Sequence, residues 1–265
     1  MDFDDYERRI WAGRAAAYER GFARLTAHTT GALLDAAGVE AGTRLLDVGT
    51  GPGAVAGAAA ARGASVLAVD AEPSMAEAAA RNVPGLDVRV AALPDLPLND
   101  GEFDAVTGNF VITAVGDPPA ALAELHRVLH PGGRLALTCW TYPPSPAVGI
   151  ATEAIKAAGV PWPDDIPVPP FRPFSSPGAF EALLTGTGFT EATAREVSWE
   201  HRVDPEDWWQ VYLSGVGSIG LVIGRQEAAT VARIKTEFDR LVAPYAGDGG
   251  QVALPAVAVL ASAAW

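Results

Sequence analysis

Apolar residues in the first half of the chain fall in short runs that are bounded by turn residues and separated by helical patterns. Uninterrupted apolar runs of this length predict strands that are buried on both faces, as in a parallel sheet. The predicted strands are Arg44 to Val48, Val66 to Asp70, Val88 to Ala91, Phe103 to Asn109 and Leu135 to Trp140.

The stretches between these strands carry helix signals. Ala54 to Arg62 is rich in alanine and is followed by Gly63, a residue type that commonly ends helices. Pro73 to Arg81 and Pro118 to Leu129 each begin with proline, which suits the first helical position. The alternation of strands and helices predicts a parallel sheet with helices on both faces and a ligand at the carboxyl ends of the strands.

After residue 140 the pattern changes. Residues 141–178 include TYPPSPAVG and GVPWPDDIPVPPFRPFSSP, and such proline-rich segments disfavour regular elements. We therefore predict an insert that runs over the edge or the mouth of the sheet.

Helices and strands are predicted again toward the C-terminus. Asp204 followed by Pro205 is typical of a helix start, and a second helix has apolar residues spaced along one side. These apolar residues are Val231, Ile234, Phe238 and Leu241. The two helices form a predicted cap at about 204–243, and the strand-like segments Phe189 to Trp199 and Leu254 to Ala261 complete the sheet.

Composition narrows the class of partner. Hydrophobic residues make up 49% of the 265 residues and charged residues 19%, which is typical of a globular enzyme. The net charge of −13 repels phosphate backbones and anionic lipids. We therefore expect no nucleic acid and no membrane as a partner, and a small molecule instead. The glycine-rich segment 215–224 is a candidate helix contact or a mobile lid, so a homodimer stays open.

The sequence favours a cytoplasmic protein without a metal. Its N-terminal segment opens with acidic residues and lacks the apolar region of a secretory signal, and the uncharged run at 211–224 is too short to span a bilayer. Cys139 is the single cysteine, which excludes an intrachain disulfide or a cysteine zinc cluster. No group of His, Asp or Glu has a convincing metal-ligand spacing.

The stretch LLDVGTGPG at 45–53 fits two kinds of nucleotide site. Gly49, Gly51 and Ala54 match the dinucleotide pattern G-x-G-x-x-[GA], whereas Gly49, Gly51 and Gly53 suit a nucleoside bound without phosphates. Asp70 ends the second predicted strand, where its carboxylate can accept hydrogen bonds from both ribose hydroxyls. Both candidate cofactors contain that ribose.

Four ordered stretches make the sequence resemble the class I S-adenosylmethionine-dependent methyltransferases, in particular the small-molecule and ubiquinone-biosynthesis-like branch. They are LLDVGTGPG, VLAVDAEPSMAEAA, LPLNDGEFDAVTGNFVITAV and ELHRVLHPGGRLALTCW, and FEALLTGTGFTEATAREV at 180–197 resembles a later helix and strand. The resemblance implies an α/β fold, with a Rossmann-like seven-stranded mostly parallel sheet, helices on both faces, an N-terminal helical segment and a proline-rich, helical cap insert.

The resemblance also implies a single methyltransferase domain over residues 1–265. Its expected parts are an N-terminal helical lid at 1–40, a cofactor-binding core at 41–140, the insert at 141–178 and C-terminal strands with the cap at 179–265.

The same resemblance implies S-adenosylmethionine as the cofactor. Its expected contacts are Tyr18, Asp47, Gly49, Thr50, Gly51, Gly53, Asp70, Ala71, Met75, Ala92, Leu93 and Asn109. Relatives often read Gly-Asp-Ala where this chain reads Ala91-Ala92-Leu93, so the side-chain carboxylate for the adenine amino group is missing here.

The acceptor site is less defined by the sequence. Aromatic residues that flank the cofactor motifs are candidates for its wall, although core packing explains such residues equally well. The candidates are Trp11, Phe22, Trp140, Tyr142, Trp162, Phe171, Trp208 and Trp209. His28, His201 and Tyr18 are the candidates for a catalytic group.

Three functions therefore compete. The first is methyl transfer to a small molecule, such as an aromatic or apolar metabolite of specialised metabolism. The second is an NAD(P)-dependent oxidoreductase, which the dinucleotide pattern and Asp70 support but which Asp47 opposes, because this carboxylate would repel a pyrophosphate. The third is a regulatory protein that binds S-adenosylmethionine without catalysis.

Overall fold

A computed structural model describes residues 2–265 of the chain. Its strands are β1 (Arg44–Val48), β2 (Ser65–Asp70), β3 (Asp87–Val90), β4 (Phe103–Asn109), β5 (Leu129–Trp140), β6 (Thr190–Val203) and β7 (Val252–Ala264). Its helices are α1 (Phe3–Trp11), α2 (Ala15–Arg20), α3 (Phe22–Thr26), α4 (Thr30–Ala36), α5 (Ala54–Ala61), α6 (Pro73–Asn82), α7 (Pro118–Val128), α8 (Pro146–Ala157), α9 (Pro177–Gly186), α10 (Pro205–Leu213), α11 (Gly217–Gly224) and α12 (Ala228–Val242).

In the described residues the strands form one seven-stranded sheet in the order β3-β2-β1-β4-β5-β7-β6. The pairs among β1 to β5 are parallel, whereas β7 lies between β5 and β6 and runs antiparallel to both. The order reverses at β1 and β4, which places the switch point of the sheet beside the glycine turn that follows β1. The predicted Rossmann-like, mostly parallel sheet is confirmed.

Helices cover both faces of the sheet because alternate strand residues point to opposite sides. Leu46 and Val48 of β1 face the core that is closed by α7 and α9, whereas Leu45 faces α4 and α5. The Asp117 side chain accepts a hydrogen bond from the Ala120 amide and so caps α7. Burial on both faces explains why β1 reads as an apolar run without alternation.

β6 and β7 extend beyond the parallel strands and hold a second hydrophobic core. β7 pairs with β5 from Ala258 onward, while its earlier residues pair with β6. The projecting ends pack against α1, α3, α8, α10, α11 and α12, around the fully buried side chains of Trp208, Tyr212 and Phe238. This second core forms a layer of helices over the carboxyl ends of β1, β2 and β4.

The N-terminus of α10 lies where the sequence placed it. Asp204 is the N-cap residue, and its carboxylate accepts hydrogen bonds from the Glu206 amide at 2.8 Å and the Asp207 amide at 3.2 Å. Pro205 occupies the first helical position, where no amide hydrogen is needed. The predicted helix start is therefore confirmed.

Two expectations about the fold were wrong. β3 is an edge strand rather than a strand buried on both faces, and Val90 is 57% exposed. The proline-rich insert contains a regular helix, α8, because Pro146 occupies its first turn, where proline does not disrupt the hydrogen bonds. The insert is therefore partly helical, and α8 contributes Ile150 and Ile155 to the second core.

No helix among residues 2–265 is both long enough and apolar enough to cross a membrane. The glycine-rich segment 215–224 contains the eight-residue helix α11, whose Val222 and Ile223 are buried.

Candidate functional site

A cavity of about 1080 Å³ lies between the carboxyl ends of β1, β2 and β4 and the layer of helices above them. Its floor includes Val48, Gly49, Asp70 and Asn109, which end these three strands or follow them directly. Its roof includes residues of α1, α8 and α11. The cavity thus occupies the edge of the sheet where the ligand of a doubly wound fold is expected.

The turn after β1 is shaped by close packing. Gly49 has φ of 65°, and a Cβ atom on it would lie 2.4 Å from Val111 Cγ2. Gly53 has φ of 89°, and a Cβ atom there would lie 3.2 Å from Ala79 Cα on α6. Gly49 lines the cavity, whereas Gly53 lies outside it and brings α5 and α6 together.

The turn's amide groups are occupied by the protein itself. The Thr50 amide donates to the Val69 carbonyl at 3.0 Å, and the Gly53 amide donates to the Thr50 carbonyl at 3.0 Å. The Gly51 amide donates to Asp70 Oδ2 at 2.8 Å. These N–H groups are therefore not free to bind phosphate oxygens, in contrast to the free N–H groups of a phosphate-binding turn.

The Asp70 carboxylate is held in a fixed orientation on the cavity wall. Its Oδ2 accepts the Gly51 amide, and its Oδ1 accepts the Glu72 amide at 2.9 Å. Burial raises the pKa of Asp70 above its ordinary value, while these two amides act in the opposite direction. Each oxygen keeps a second lone pair, so the carboxylate can accept two further hydrogen bonds from a diol.

Asp47 lies beneath the glycine turn rather than on the cavity wall. It is 1% exposed, and its carboxylate accepts hydrogen bonds from Thr50 Oγ1 at 2.7 Å and Thr107 Oγ1 at 2.9 Å. Burial raises the pKa of Asp47 to about 6, against the effect of these two hydroxyls. Asp47 and Thr50, both expected at the cofactor, thus support the turn from below.

Asn109 and Tyr18 line the cavity with their polar atoms bound to neighbours. Asn109 Oδ1 accepts hydrogen bonds from Thr29 and Thr138, and its amide group donates to the Thr26 carbonyl. The Tyr18 hydroxyl lies 3.1 Å from Thr26 Oγ1. Burial raises the pKa of Tyr18 above its ordinary value, so this phenol is a poorer proton donor than a solvated one.

The side of the cavity beyond Asp70 is apolar. Ala71, Met75, Ala92 and Leu93 all line it, and Met75 is 5% exposed. No carboxylate of the 91–95 segment reaches the cavity, since Asp95 is exposed on the outside of the loop. This part of the wall can therefore contact a planar base through apolar surface and backbone groups.

Aromatic side chains form the opposite end of the cavity. Phe22, Trp140, Tyr142 and Trp162 line this end, and Trp11 lines the cavity beside Met75 and Tyr18, so all five candidates reach the cavity, as the sequence suggested. The remaining candidates do not reach it. Trp208 and Trp209 are buried in the second core, and Phe171 is buried beside Phe180 beneath the sheet.

The two candidate histidines also lie outside the cavity. His28 is exposed and stacks on Trp199 at 5.7 Å between ring centroids. His201 is 3% exposed on β6, packs edge-on against Trp208, and has no hydrogen-bond partner at Nε2. His201 therefore points into the second core. The aromatic residues of α10 separate it from the cavity.

Sequence reasoning overlooked several residues of the cavity. Phe110 has φ of 63° directly after β4 and stacks on Trp140 at 4.0 Å, an arrangement that no local pattern announces. Arg172 of the insert lies over the Tyr142 ring at 3.6 Å. Glu7 lines the roof from α1, and the acidic N-terminus offered no signal that distinguished it from its neighbours.

Within residues 2–265 no three His, Cys, Asp or Glu side chains are grouped as metal ligands.

The chain is similar in sequence and in fold to known proteins. Residues 46–137 match the family model described as a methyltransferase domain. A demethylmenaquinone methyltransferase of Thermus thermophilus is 34% identical over 178 residues, which cover 59% of this chain and 79% of that enzyme. A nocamycin O-methyltransferase of Saccharothrix syringae is 36% identical over 177 residues, which cover 60% of this chain and 63% of that enzyme.

Coverage is lower for other curated relatives, since this chain spans 45%, 32% and 61% of the length of three of them. Among solved structures, the YcgJ protein of Bacillus subtilis superposes with a TM-score of 0.56 at 19% identity, over 89% of this chain and 97% of that one. The fold is therefore shared over almost the whole chain, whereas sequence similarity concentrates in the strands and turns around the cavity floor.

Proposed function

Because the chain belongs to the class I S-adenosylmethionine-dependent methyltransferases, we propose that it transfers a methyl group from S-adenosylmethionine to a small apolar or aromatic molecule. One observation carries this proposal. The strand-end residues that suit the cofactor and the aromatic residues that suit an acceptor line one continuous cavity.

The cavity floor fits the cofactor. Asp70 offers its carboxylate to the ribose hydroxyls, while Ala71, Met75 and Leu93 offer an apolar surface to the adenine. Gly49 lines the cavity, and we place the methionine portion beside it. When bound, the cofactor supplies an electrophilic methyl group on its sulfonium; the chain's own contribution is to bind, orient and shield the reactants.

The same geometry disfavours a dinucleotide. A pyrophosphate needs free N–H groups or cationic side chains, but the amides of Thr50, Gly51 and Gly53 already bind protein acceptors. The buried carboxylate of Asp47 lies directly beneath this turn and repels a phosphate. We therefore consider an NAD(P)-dependent oxidoreductase less well supported than a methyltransferase.

The aromatic end of the cavity supports a flat or apolar acceptor. Phe22, Trp140 and Tyr142 can hold such a molecule against the cofactor end of the cavity. Methyl transfer is an in-line displacement, and correct positioning of the two reactants can lower its barrier by ~7–11 kcal/mol. Two relatives are named for methylation of small molecules, which agrees with this acceptor class.

The N-terminal segment 1–40 is proposed as the lid. α1 and α2 contribute Trp11 and Tyr18 to the cavity wall, and their rings pack edge to face with centroids 5.7 Å apart. A lid at this place excludes water from the reacting methyl group.

Native mass spectrometry after mild purification tests the cofactor, and transfer of radiolabelled methyl from S-adenosylmethionine to a panel of naphthols, quinols and aromatic amines tests the reaction. We expect S-adenosylmethionine or S-adenosylhomocysteine to co-purify and at least one class of acceptor to be labelled. Co-purified NAD would overturn the proposal in favour of the oxidoreductase. Binding of S-adenosylhomocysteine with no labelled acceptor would favour the regulatory protein.

A further inference from the structure

Five carboxylates line the cavity, and four of them have another role or lie in solvent. These five are Asp4, Glu7, Asp70, Glu72 and Glu153. Asp4 accepts the Gly116 amide, Asp70 accepts two amides, Glu72 accepts the amides of Gly13 and Ser74, and Glu153 is exposed. Glu7 is the remaining one; it is half-buried and accepts no backbone amide in the described residues.

Glu7 lines the cavity from α1. Asp4, Glu7 and Trp11 follow at spacings of three and four on α1, so they share one helix face, and all three line the cavity. Trp11 reaches the cofactor end, where it packs with Met75 and Tyr18, while Asp4 is bound to the Gly116 loop. Glu7 therefore lines the cavity one helical turn from Trp11, which packs beside Met75 and Tyr18.

The Glu7 carboxylate is positioned by one neighbour. Trp11 Nε1 donates a hydrogen bond to Glu7 Oε2 at 2.9 Å, and no donor among residues 2–265 reaches Oε1. Within this part of the chain, Glu7 is thus an oriented carboxylate with one oxygen left to accept a proton.

No other group on the described cavity wall is equally suited to take a proton. No histidine or lysine lines the cavity. The Tyr6 hydroxyl donates to Ser218 Oγ at 2.8 Å, and the Tyr18 hydroxyl is paired with Thr26.

We propose that Glu7 is the catalytic residue that accepts the proton of a hydroxylated acceptor, and this inference rests on the proposed function above. The acceptor oxygen forms its bond to the methyl carbon as the carbon–sulfur bond breaks and leaves its electron pair on sulfur. The hydroxyl proton passes to Glu7 Oε1, and solvent takes it from there when the lid opens. The acceptor class is accordingly a phenol or enol that is neutral at physiological pH.

The titration of Glu7 fits this role. Burial raises the pKa of Glu7 to about 7, the Trp11 hydrogen bond lowers it, and the charge of Asp4 raises it further. The other charged side chains around the cavity are Arg8 on α1, Asp70 at the end of β2, Glu72 after β2, Glu153 on α8 and Arg172 in the insert. Because the ionised form is the base, turnover should rise with pH up to the pKa of Glu7 and then level off.

A graded series of phenols tests the proposal with the full-length protein. Glu7→Gln keeps the size and the Trp11 acceptor but removes the base, and Asp5→Asn is the matched control, since Asp5 is exposed on α1 and lies outside the cavity. For 2-naphthol, which is neutral at physiological pH, we expect Glu7→Gln to lower kcat by about 10²–10³-fold. For pentafluorophenol, which is already ionised, we expect almost no change in kcat, and Asp5→Asn should match the wild type for both.

Equal loss of kcat for both phenols, or no loss for either, overturns the role of Glu7 while leaving the proposed function intact. Failure of the wild type to methylate any phenol, with S-adenosylhomocysteine still bound, overturns the hydroxyl acceptor and Glu7 with it. An independent reading follows the Trp11 indole N–H by NMR with ¹⁵N-labelled tryptophan. Its shift should titrate near the pKa of Glu7 and lose that step in Glu7→Gln; an unchanged titration in Glu7→Gln would contradict the proposal.

Discussion

At the residue scale, the Asp70 carboxylate both accepts two backbone amides and lines the cavity. It is oriented by the amides of Gly51 and Glu72, and its remaining lone pairs face the cavity. Asp95 is a matched acidic residue because it lies exposed in the nearby loop and outside the cavity. The pair therefore compares a carboxylate on the cavity wall with a carboxylate on the outer surface.

We predict that Asp70→Ala loses most of the affinity for S-adenosylhomocysteine, whereas Asp95→Ala keeps it. Two hydrogen bonds to a charged acceptor contribute about 1.5–3 kcal/mol each. Their loss weakens binding by roughly 10²–10⁴-fold, at ~1.4 kcal/mol per tenfold change. Calorimetry measures the affinities, and circular dichroism checks that each variant is folded. Equal affinities for the two variants would remove Asp70 from the cofactor site.

Protonation of His201 affects the stability of the fold, because this side chain is buried outside the cavity. It is 3% exposed, and burial lowers its pKa to about 4, with further lowering by His28 and Arg24. The ordinary value is 6.5, so the unfolded chain binds a proton at a higher pH than the folded one. The stability that neutral His201 contributes is thus complete above pH 6.5 and is lost as the pH falls toward 4.

We predict that His201→Phe reduces the loss of unfolding free energy on acidification. Between pH 7 and pH 5 the wild type should lose about 2 kcal/mol more than this variant. Urea denaturation at the two pH values measures the difference, and His130→Gln, at an exposed position, is the control. A wild type and His201→Phe with the same pH dependence would contradict the argument.

At the scale of elements, α1 is held over the cavity by one hydrogen bond near each of its ends. Asp4 Oδ1 accepts the Gly116 amide at 2.6 Å, and Glu72 Oε1 accepts the Gly13 amide at 3.0 Å. Tyr6 and Ile10 are buried in the second core, so deleting residues 1–22 would expose apolar surface in addition to removing the proposed lid. A single substitution that removes one of these two hydrogen bonds is therefore the cleaner test of the proposed lid.

We predict that Asp4→Ala loosens α1 without unfolding the sheet. Loss of this charge-assisted hydrogen bond should raise amide hydrogen exchange over α1 by about tenfold, which corresponds to ~1.4 kcal/mol. The exchange of β1 and β4 should not change. Asp5→Ala is the control, because Asp5 pairs only with the exposed Arg8. Exchange over α1 that is the same in both variants would show that Asp4 does not hold the lid.

At the scale of the whole molecule, cofactor binding should stabilise all layers together. The cavity is bounded by strand ends, by the lid and by the insert, so a ligand that fills it contacts each of these parts. A ligand that binds only the folded state adds its binding free energy to the free energy of unfolding.

We predict that S-adenosylhomocysteine at 100 times its Kd raises Tm by roughly 5–10 °C, from ≈ 2.7 kcal/mol of linkage and about 2–4 °C per kcal/mol. NAD at the same concentration should leave Tm unchanged, since the turn amides are occupied. Differential scanning calorimetry compares the two ligands. A larger shift with NAD would restore the oxidoreductase as the leading function.

The sequence by itself determined the parallel half of the sheet and the position of the glycine turn. β1 and β4 have the predicted bounds, because burial on both faces demands the apolar runs that are visible in the chain. The start of α10 was equally predictable, because an N-cap followed by proline is a local signal. Such features depend on residues that are adjacent in the chain, so the sequence is enough to predict them.

Only the tertiary structure decided which side chains face the cavity. No sequence pattern distinguishes Trp140 from Trp208. Trp140 lines the cavity because β5 sets its orientation, whereas Trp208 is fully buried because α10 packs against β6. Glu7 likewise differs from Asp5 only in the side of α1 on which it lies. These distinctions arise from packing between elements that are far apart in the chain, and no local pattern records that packing.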